Sequence, residues 1–259
     1  MIATDLDGTL LSSEGSISPR TLAALEAAEN AGITVVFVTG RPVRWMEDLF
    51  GHVGSHGIAI LSNGALVWDV AGDRPILQRP IAPETLLDAC ARLRGAAPGL
   101  LFGFERLSGL SVEATFIGRF TGRFAVQEGL LEEIAAEPAL KLLARLSEGE
   151  PEHLKDQARA AVGHLLEITG STKSPLLEMS ALGVTKATTL DQWCAERGWT
   201  AANVIAFGDM PNDLDMLSWA GTSYAMENAH PTVIQAASHR TASNDDDGVA
   251  QVIEALLAG

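Results

Sequence analysis

Asp5-Leu6-Asp7-Gly8-Thr9-Leu10 directly follows a short apolar segment, residues 1–4, at the start of the chain. The apolar segment predicts a strand, and the glycine predicts the turn that ends it. Two carboxylates two positions apart lie on the same side of an extended backbone, so Asp5 and Asp7 offer a nucleophile and a proton carrier to one small pocket. Such a pair is typical of phosphoryl transfer. A turn-capping role is the competing interpretation, because Asp and Gly are also ordinary turn residues.

The residues after this stretch alternate between helix and strand patterns. Ser18-Pro19 is typical of an N-cap followed by a first-turn proline, and we expect a helix from about Pro19 to Ala31. The runs 33–38 and 58–61 are apolar, as expected of central parallel strands. Because helices separate these strands, the crossovers should be right-handed. The sequence therefore predicts an α/β fold with a doubly wound, mostly parallel sheet.

The pattern changes near residue 80. A predicted helix, 84–93, is followed by short apolar segments that are typical of an antiparallel sheet with helices on one face. These segments are residues 100–104, 140–146 and 165–168. The α/β pattern resumes with a helix at Lys186. We therefore predict a core domain, 1–80 and 182–259, into which a second domain of the α+β kind, 81–181, is inserted.

Composition limits the function classes. The chain has 259 residues, 47% of them hydrophobic, and a formal net charge of -15. This acidity opposes binding to nucleic acid, and no apolar run is long enough to cross a bilayer, so we expect neither a nucleic-acid nor a membrane partner. Cys90 and Cys194 lack metal or redox spacing, which is typical of a reducing interior. We expect a cytoplasmic protein that is a monomer or a small homo-oligomer.

Three predicted strands end in polar residues that can form one site. In an open parallel sheet, the pocket lies beyond the carboxyl ends of the strands. Asp5 and Asp7 follow the first strand, Thr39 follows the second, and Asp209 follows a later one, with Asp213 four positions beyond. Oxygen ligands clustered in this way suit Mg²⁺, which takes one or two protein carboxylates besides substrate and water. An acidic chain that binds a phosphate ester also needs a lysine or arginine in the pocket.

Four segments of the chain, in this order, match the motifs of one enzyme superfamily. They are Asp5 to Leu10, Thr39-Gly40-Arg41, Lys186 within Gly183-Val184-Thr185-Lys186, and Gly208 to Asp213. Through them the chain resembles the haloacid dehalogenase superfamily, in particular its Cof-type phosphatases, which have a cap domain inserted in a Rossmann-like core. The likeness extends to the segments Asn228-Ala229-His230-Pro231 and 244–249, and it spans both predicted core segments.

The resemblance implies a magnesium-dependent phosphomonoester hydrolase that acts on small phosphorylated metabolites. By that likeness Asp5 attacks phosphorus and forms an aspartyl-phosphate. Asp7 protonates the leaving alkoxide and then acts as base toward the hydrolytic water. Thr39 donates a hydrogen bond to the transferring phosphoryl group, and Lys186 offsets its charge and that of Asp5.

The same resemblance implies a metal site and a substrate pocket. Asp5 and Asp209 hold Mg²⁺ through carboxylates and Asp7 through its main-chain carbonyl, while Asp213 lies nearby or binds through water. The residues placed near the substrate are Thr39, Gly40, Arg41, Asn63, Lys186 and Asn212. For Asn63, Arg41 and Asn212, turn, ion-pair and capping roles, respectively, are the alternative interpretations.

Several questions stay open at this level. A phosphomutase or phosphotransferase, and a binding protein without turnover, would carry the same motifs. The metabolite should depend on the inserted domain, where charged candidates face either solvent or the pocket: Glu105, Arg106, Glu113, Arg119 and Arg123. The run 244–248 resembles part of a calcium loop but lacks the later glutamate at the required spacing, so we predict a solvated turn. The short first strand leaves open whether the natural start lies upstream.

Overall fold

A computed structural model of the chain describes residues 1–52, 57–116, 126–170 and 174–259. The contacts between Cα atoms divide the chain into two compact units. The first unit consists of Met1–Arg41, Met46–Leu77 and Thr185–Gly259. The second consists of Gln78–Val184 together with the short segment Pro42–Trp45. Each unit has its own sheet, and none of the described helices is both long and apolar enough to span a membrane.

The described strands and helices are numbered here in chain order. The strands are β1 (Ile2–Thr4), β2 (Val35–Val38), β3 (Ile58–Leu61), β4 (Leu66–Asp69), β5 (Arg74–Gln78), β6 (Leu101–Arg106), β7 (Gly109–Val112), β8 (Val126–Glu128), β9 (Lys141–Arg145), β10 (Leu166–Gly170), β11 (Leu176–Ala181), β12 (Ile205–Gly208), β13 (Thr222–Ala225) and β14 (His239–Arg240). The helices are α1 (Pro19–Asn30), α2 (Glu47–Phe50), α3 (Pro83–Ala96), α4 (Leu131–Ile134), α5 (Pro151–Val162), α6 (Lys186–Ala195), α7 (Leu214–Trp219), α8 (Pro231–Ala236) and α9 (Gly248–Ala258).

The first unit is built on one sheet with strand order β14-β13-β12-β1-β2-β3-β4-β5. The strands from β14 to β3 pair in parallel, and β4 is antiparallel to β3. This confirms the prediction of a doubly wound, mostly parallel sheet. The first strand of the chain lies in the middle, between β2 and β12, so strand order reverses there. Ligands of doubly wound proteins bind beyond the carboxyl ends of the strands at such a reversal.

The central strands are buried on both sides, which explains their apolar composition. All residues of β1, β2 and β3 are buried. The crossover helix α1 begins where the sequence predicted it, because the Ser18 side chain accepts a hydrogen bond from the backbone N–H of Thr21 and Pro19 occupies the first turn. Helix α1 packs against α9, so a helix near the start of the sequence contacts the last helix.

The second unit has a sheet of strand order β10-β11-β9-β6-β7-β8, antiparallel except between β7 and β8. Helices α3 and α5 pack against each other, and their apolar residues share one core with the sheet. That core includes Leu86, Cys90, Phe102, Phe104 and Leu154. An antiparallel sheet with a helical layer is the α+β arrangement that the sequence predicted.

Candidate active site

The register of the central strands brings the predicted site residues to one edge of the sheet. Thr4 of β1 lies opposite Phe37 of β2 on one side and opposite Phe207 of β12 on the other. Because the strands are parallel, the residues that follow them leave the sheet at the same level. Asp5 and Asp209 therefore emerge side by side.

Lys186 binds two of the buried carboxylates directly. Its Nζ donates to Asp5 Oδ1 at 2.6 Å and to Asp213 Oδ1 at 2.6 Å. Lys186 is the first residue of α6, where the helix dipole disfavours a positive charge, and only 1% of the side chain is exposed. Burial lowers the pKa of Lys186, but attraction by Asp213 and Asp5 outweighs it, so its pKa lies above the usual range. The carboxylates hold this ammonium group in place.

Asp213 organises the loop that carries Asp209. Its carboxylate is fully buried, and Oδ2 accepts hydrogen bonds from the backbone N–H groups of Asp209 at 3.1 Å and Met210 at 3.0 Å. The other oxygen accepts from Lys186. Both oxygens of Asp213 are thus committed to protein donors, which suits a residue that positions its neighbours better than a direct metal ligand.

Asp5, Asp209 and Asp213 offer carboxylate oxygens that all lie within 4.8 Å of one another. Burial raises the pKa of Asp5 to about 8. The Lys186 ammonium group acts to lower this pKa, and repulsion by Asp213 and Asp209 acts to raise it. Burial and repulsion by Asp213 raise the pKa of Asp209 to about 7. Three buried carboxylates share one ammonium group, so when they are ionised the cluster has more negative charge than Lys186 neutralises. A divalent cation with a preference for oxygen ligands fits both the charge and the donor set.

Gly8 and Thr9 fix the distance between the first loop and Asp209. A Cβ atom on Gly8 would lie 2.3 Å from Asp209 Oδ2, and the backbone has φ +78° there, so only glycine fits without strain. The Thr9 hydroxyl donates to Asp209 Oδ1 at 3.1 Å. No role was predicted for Thr9 from the sequence, although its hydroxyl directly follows the required glycine.

The Asp7 carboxylate pairs with Arg41 and is not one of the three clustered carboxylates. The Arg41 guanidinium donates from Nε to Asp7 Oδ2 at 2.8 Å and from a terminal nitrogen to Oδ1 at 2.6 Å. The Asp7 side chain is 60% exposed, so it can leave this bidentate pair. Arg41 thus forms the ion pair that the sequence offered as its alternative role, and the Asp7 carboxylate lies outside the cluster of Asp5, Asp209 and Asp213.

Thr39, Gly40, Asn63 and Asn212 form a second group at the same edge. Thr39 is buried, and its Oγ1 accepts a hydrogen bond from the backbone N–H of Arg41 at 3.1 Å. Asn63 has φ 56°, in the left-handed region, and its Oδ1 accepts from Asn212 Nδ2 at 3.2 Å. A Cβ atom on Gly40 would lie 3.0 Å from that oxygen, so a larger residue would displace Asn63. Left-handed backbone at a non-glycine residue is frequent in functional loops.

The profile of the haloacid dehalogenase-like hydrolases matches residues 2–253. The chain belongs to the haloacid dehalogenase-like hydrolase family. This hydrolase is 28% identical over 254 residues to 5-amino-6-(5-phospho-D-ribitylamino)uracil phosphatase YcsE of Bacillus subtilis, which covers 98% of the chain and 94% of the relative. It is 30% identical to an HMP-PP phosphatase of Yersinia pestis, over 91% of the chain and 86% of the relative.

A solved structure agrees with these relatives. The subclass IIB sugar phosphatase BT4131 superposes on the hydrolase with a TM-score of 0.81 and 25% identity over 98% of both chains. Family, relatives and structure agree in enzyme class, so the hydrolase is a phosphatase of the haloacid dehalogenase type. The resemblance inferred from the four motifs is confirmed.

Three of the charged candidates, Glu105, Arg106 and Glu113, bind other residues of the second unit. Glu105 is buried and pairs with Arg44, which belongs to the short segment 42–45. Arg106 donates to three backbone carbonyls, those of residues 134, 137 and 138. Glu113 accepts from Arg94 and from the backbone N–H of Phe102. Arg119 and Arg123 lie outside the described residues.

Proposed function

We propose that this phosphatase hydrolyses monoesters of small phosphorylated metabolites through an aspartyl-phosphate on Asp5, with Mg²⁺ as its metal. The observation that carries the proposal is the position of Asp5, buried at the end of the central strand, 2.6 Å from the Lys186 ammonium and within 4.8 Å of the Asp209 carboxylate. A nucleophile in this place has a cation on one side and a metal ligand on the other.

In the first half-reaction, an oxygen of Asp5 attacks phosphorus while the bond from phosphorus to the ester oxygen breaks. Asp7 gives its proton to the departing alkoxide. In the second half-reaction, Asp7 removes a proton from water, and the water oxygen attacks the phosphorus of the acyl phosphate. The Asp5–phosphorus bond breaks, which releases inorganic phosphate and restores the Asp5 carboxylate and the protonated Asp7.

Other residues stabilise and orient the transferring group. Lys186 neutralises Asp5 and the phosphoryl oxygens, and the Thr39 hydroxyl donates to one of those oxygens. Mg²⁺, when bound, supplies Lewis-acid stabilisation of the phosphoryl charge and would be held by Asp5, Asp209 and the main-chain carbonyl of Asp7. Asp213 keeps Lys186 and the backbone at 209–210 in place, and would contact the ion only through water.

Asp7 must leave Arg41 before it can carry a proton. The guanidinium is then available to the phosphoryl or ester oxygens, because arginine binds phosphate in the same bidentate geometry as carboxylate. Arg41 would therefore bind the substrate after it has released Asp7. Gly40, Asn63 and Asn212 would complete the pocket wall on this side, with Gly40 leaving room for the Asn63 amide.

The relatives support a small, polar leaving group. The names of three of them mention a ribitylaminouracil phosphate, HMP-PP and a sugar phosphate. We propose a sugar phosphate or a phosphorylated cofactor precursor as substrate, and we propose that residues 81–181 act as a cap domain that selects it, on a core formed by 1–80 and 182–259. Two buried free thiols, Cys90 and Cys194, support a cytoplasmic location.

A metabolite panel with phosphate release as readout tests the proposal. Turnover should require Mg²⁺ and should fall at least about 10⁴-fold in Asp5→Asn, because the nucleophile is removed. The matched control is Asp191→Asn, the same substitution at an exposed position of α6. Full activity in Asp5→Asn would overturn the proposal. Transfer of label to an added alcohol in place of water would assign the chain to the phosphotransferases instead.

A further inference from the structure

We propose that Asn228 and Asn244 are positioning residues of this active site: together they hold the main chain of residues 8–11 in the register with Asp209 that binding of a divalent cation requires. Their role rests on the proposed function, because it presupposes that Asp5 and Asp209 share a metal ion. Neither asparagine belongs to the four motifs, although both lie in C-terminal segments that the sequence analysis noted without a role.

Asn228 binds the first loop at its tightest point. Its Nδ2 donates to the main-chain oxygen of Gly8 at 2.8 Å. Gly8 is the residue whose backbone passes so close to Asp209 that a Cβ atom would lie 2.3 Å from that carboxylate. The hydrogen bond therefore restrains the Gly8 backbone, which lies between the Asp7 carbonyl and Thr9. A shift at this point would move both groups relative to Asp209.

Asn244 closes a ring of hydrogen bonds around the same loop. Its backbone N–H donates to Asn228 Oδ1 at 3.0 Å, and its Nδ2 donates to the main-chain oxygen of Leu11 at 2.8 Å. Leu11 in turn is tied to the start of the loop, because its N–H donates to the carbonyl of Leu6 at 2.8 Å. Asn228 is thus oriented by Asn244, and both ends of the Gly8–Leu11 segment are held.

The segment that carries Asn228 also binds the loop of Asp209. The backbone N–H of Met226 donates to Gly208 O at 3.2 Å, and that of His230 donates to Asp209 O at 2.8 Å. A single stretch of five residues therefore contacts the main chain of both metal-binding loops. It sets the distance between them independently of the carboxylates themselves.

The run 244–248 does more than the predicted solvated turn. Asp245 Oδ1 accepts from the backbone N–H of Ser13 at 2.7 Å, and Asp247 accepts from the hydroxyls of Ser18 and Thr21. These bonds anchor the run to the chain that follows the nucleophile loop. The turn interpretation missed them because all the donors lie more than 220 residues away in sequence.

These asparagines should affect the position of the loop more than the stability of the fold. Asn228 is exposed, and a hydrogen bond in contact with water stabilises a fold only slightly. Mg²⁺, in contrast, demands near-ideal octahedral geometry with oxygens at about 2.1 Å, and a loop displaced by about 0.5 Å no longer meets it. Loss of the Asn228 amide should therefore weaken metal binding far more than it lowers the melting temperature.

The Asn228→Asp substitution distinguishes the effect of loop position on cation binding from the effect of charge. The substitution keeps the shape, replaces the donor with an oxygen that repels the Gly8 carbonyl, and adds a negative charge near the cation. Charge alone would tighten cation binding, whereas displacement of the loop weakens it. The matched control is Asn203→Asp, which adds the same charge at an exposed turn where the side-chain oxygen remains an acceptor for the Thr200 N–H.

The experiment is a calorimetric titration of the metal-free, full-length protein with Mg²⁺, with Asp209→Asn as the metal-site control. We expect the dissociation constant to rise at least ten-fold in Asn228→Asp and in Asn228→Ala, and to stay within two-fold of wild type in Asn203→Asp. Asn244→Ala should weaken binding as well, and the double variant with Asn228→Ala should lose less than the product of the two single losses, because both bonds belong to one ring.

The outcomes distinguish the two levels of the hypothesis. Wild-type binding that is lost in Asp209→Asn supports the metal site; unchanged or tighter binding in folded Asn228→Asp and Asn228→Ala would then overturn the positioning role alone. Absence of Mg²⁺ binding by the wild-type protein would overturn the proposed metal site and the positioning role with it. Circular dichroism melting of each variant checks that the proteins compared are folded.

Discussion

Replacement of Asp209 with asparagine should stabilise the metal-free protein at about pH 8 while it removes Mg²⁺ binding. Asparagine has the same shape, and its side-chain oxygen can still accept the hydrogen bond that Thr9 donates at 3.1 Å. The charge is what changes, since Asp209 is a buried carboxylate within 4.8 Å of Asp5 and Asp213. A group placed to bind a cation destabilises the fold when the cation is absent.

The magnitude follows from the pKa. Burial and repulsion by Asp213 raise the pKa of Asp209 from 3.8 to about 7. The charged carboxylate therefore costs the folded protein about 4 kcal/mol at high pH, relative to the unfolded chain. A buried amide has a desolvation cost of about 2 kcal/mol of its own, so the free energy of unfolding should rise by about 2 kcal/mol in Asp209→Asn.

The pH dependence has a definite sign. Between pH 3.8 and about 7 the folded state holds more protons at Asp209 than the unfolded state does. The free energy of unfolding contributed by this group therefore falls as pH rises through that window. The advantage of the variant should be largest at about pH 8 and should shrink as the pH is lowered toward about 5.

Urea unfolding of chelator-treated wild type, Asp209→Asn and the exposed control Asp191→Asn measures these differences. In thermal melts the gain corresponds to about 5 °C for a chain of this size. Added Mg²⁺ should stabilise the wild type, by about 3 kcal/mol at a hundred times its dissociation constant, and should leave Asp209→Asn unchanged. The reasoning is refuted if the variant is no more stable than wild type at about pH 8, or if Mg²⁺ stabilises both equally.

Three further substitutions test other contacts of the site. Lys186→Met removes the ammonium group that two buried carboxylates share, so it should destabilise the protein by about 3–5 kcal/mol at neutral pH and by less in acid. Urea unfolding measures both losses, and an equal loss at neutral and acid pH would contradict this reasoning. Gly8→Ala should cost about 2 kcal/mol and abolish Mg²⁺ binding in calorimetry, because its Cβ would meet Asp209; wild-type affinity would contradict the close approach. Arg41→Ala should change the free energy of unfolding by less than about 1 kcal/mol, because its partner Asp7 is 60% exposed. It should lower kcat/KM at least ten-fold in steady-state kinetics; unchanged kinetics would limit Arg41 to a surface role.

Much of this site could be predicted from the sequence because parallel sheets impose a simple rule. Apolar runs that end in Asp5, Thr39 and Asp209 define strands, and the carboxyl ends of parallel strands meet at one edge. Lys186 could be placed there only through its motif, since nothing in a lone lysine at a helix start indicates burial. The structure adds the reason, which is that two carboxylates lie within hydrogen-bond distance of its ammonium group.

Other features depend on contacts that periodicity does not encode. Strand β14 has two residues and β5 alternates between exposed and half-buried positions, so neither produces a clear pattern. The chain enters α7 through a 3₁₀ turn, Pro211–Asp213, in which the Asp213 carboxylate turns back to accept hydrogen bonds from two N–H groups of its own loop. Asp7 and Arg41 lie in the loops that follow β1 and β2, and the distance between these loops depends on how the two strands pair.

The central position of the first strand has a consequence for biosynthesis. Strand β1 is translated about 200 residues before its neighbour β12, and Lys186 and Asp209 come from the same late part of the chain. Strand β2 and Arg41 can pair with β1 and Asp7 early, but Asp5 has neither the Lys186 ammonium nor strand β12 beside it until about 200 residues have been made. A polypeptide released before β12 lacks Asp209 and one neighbour of the central strand, so it cannot form the cluster of three carboxylates.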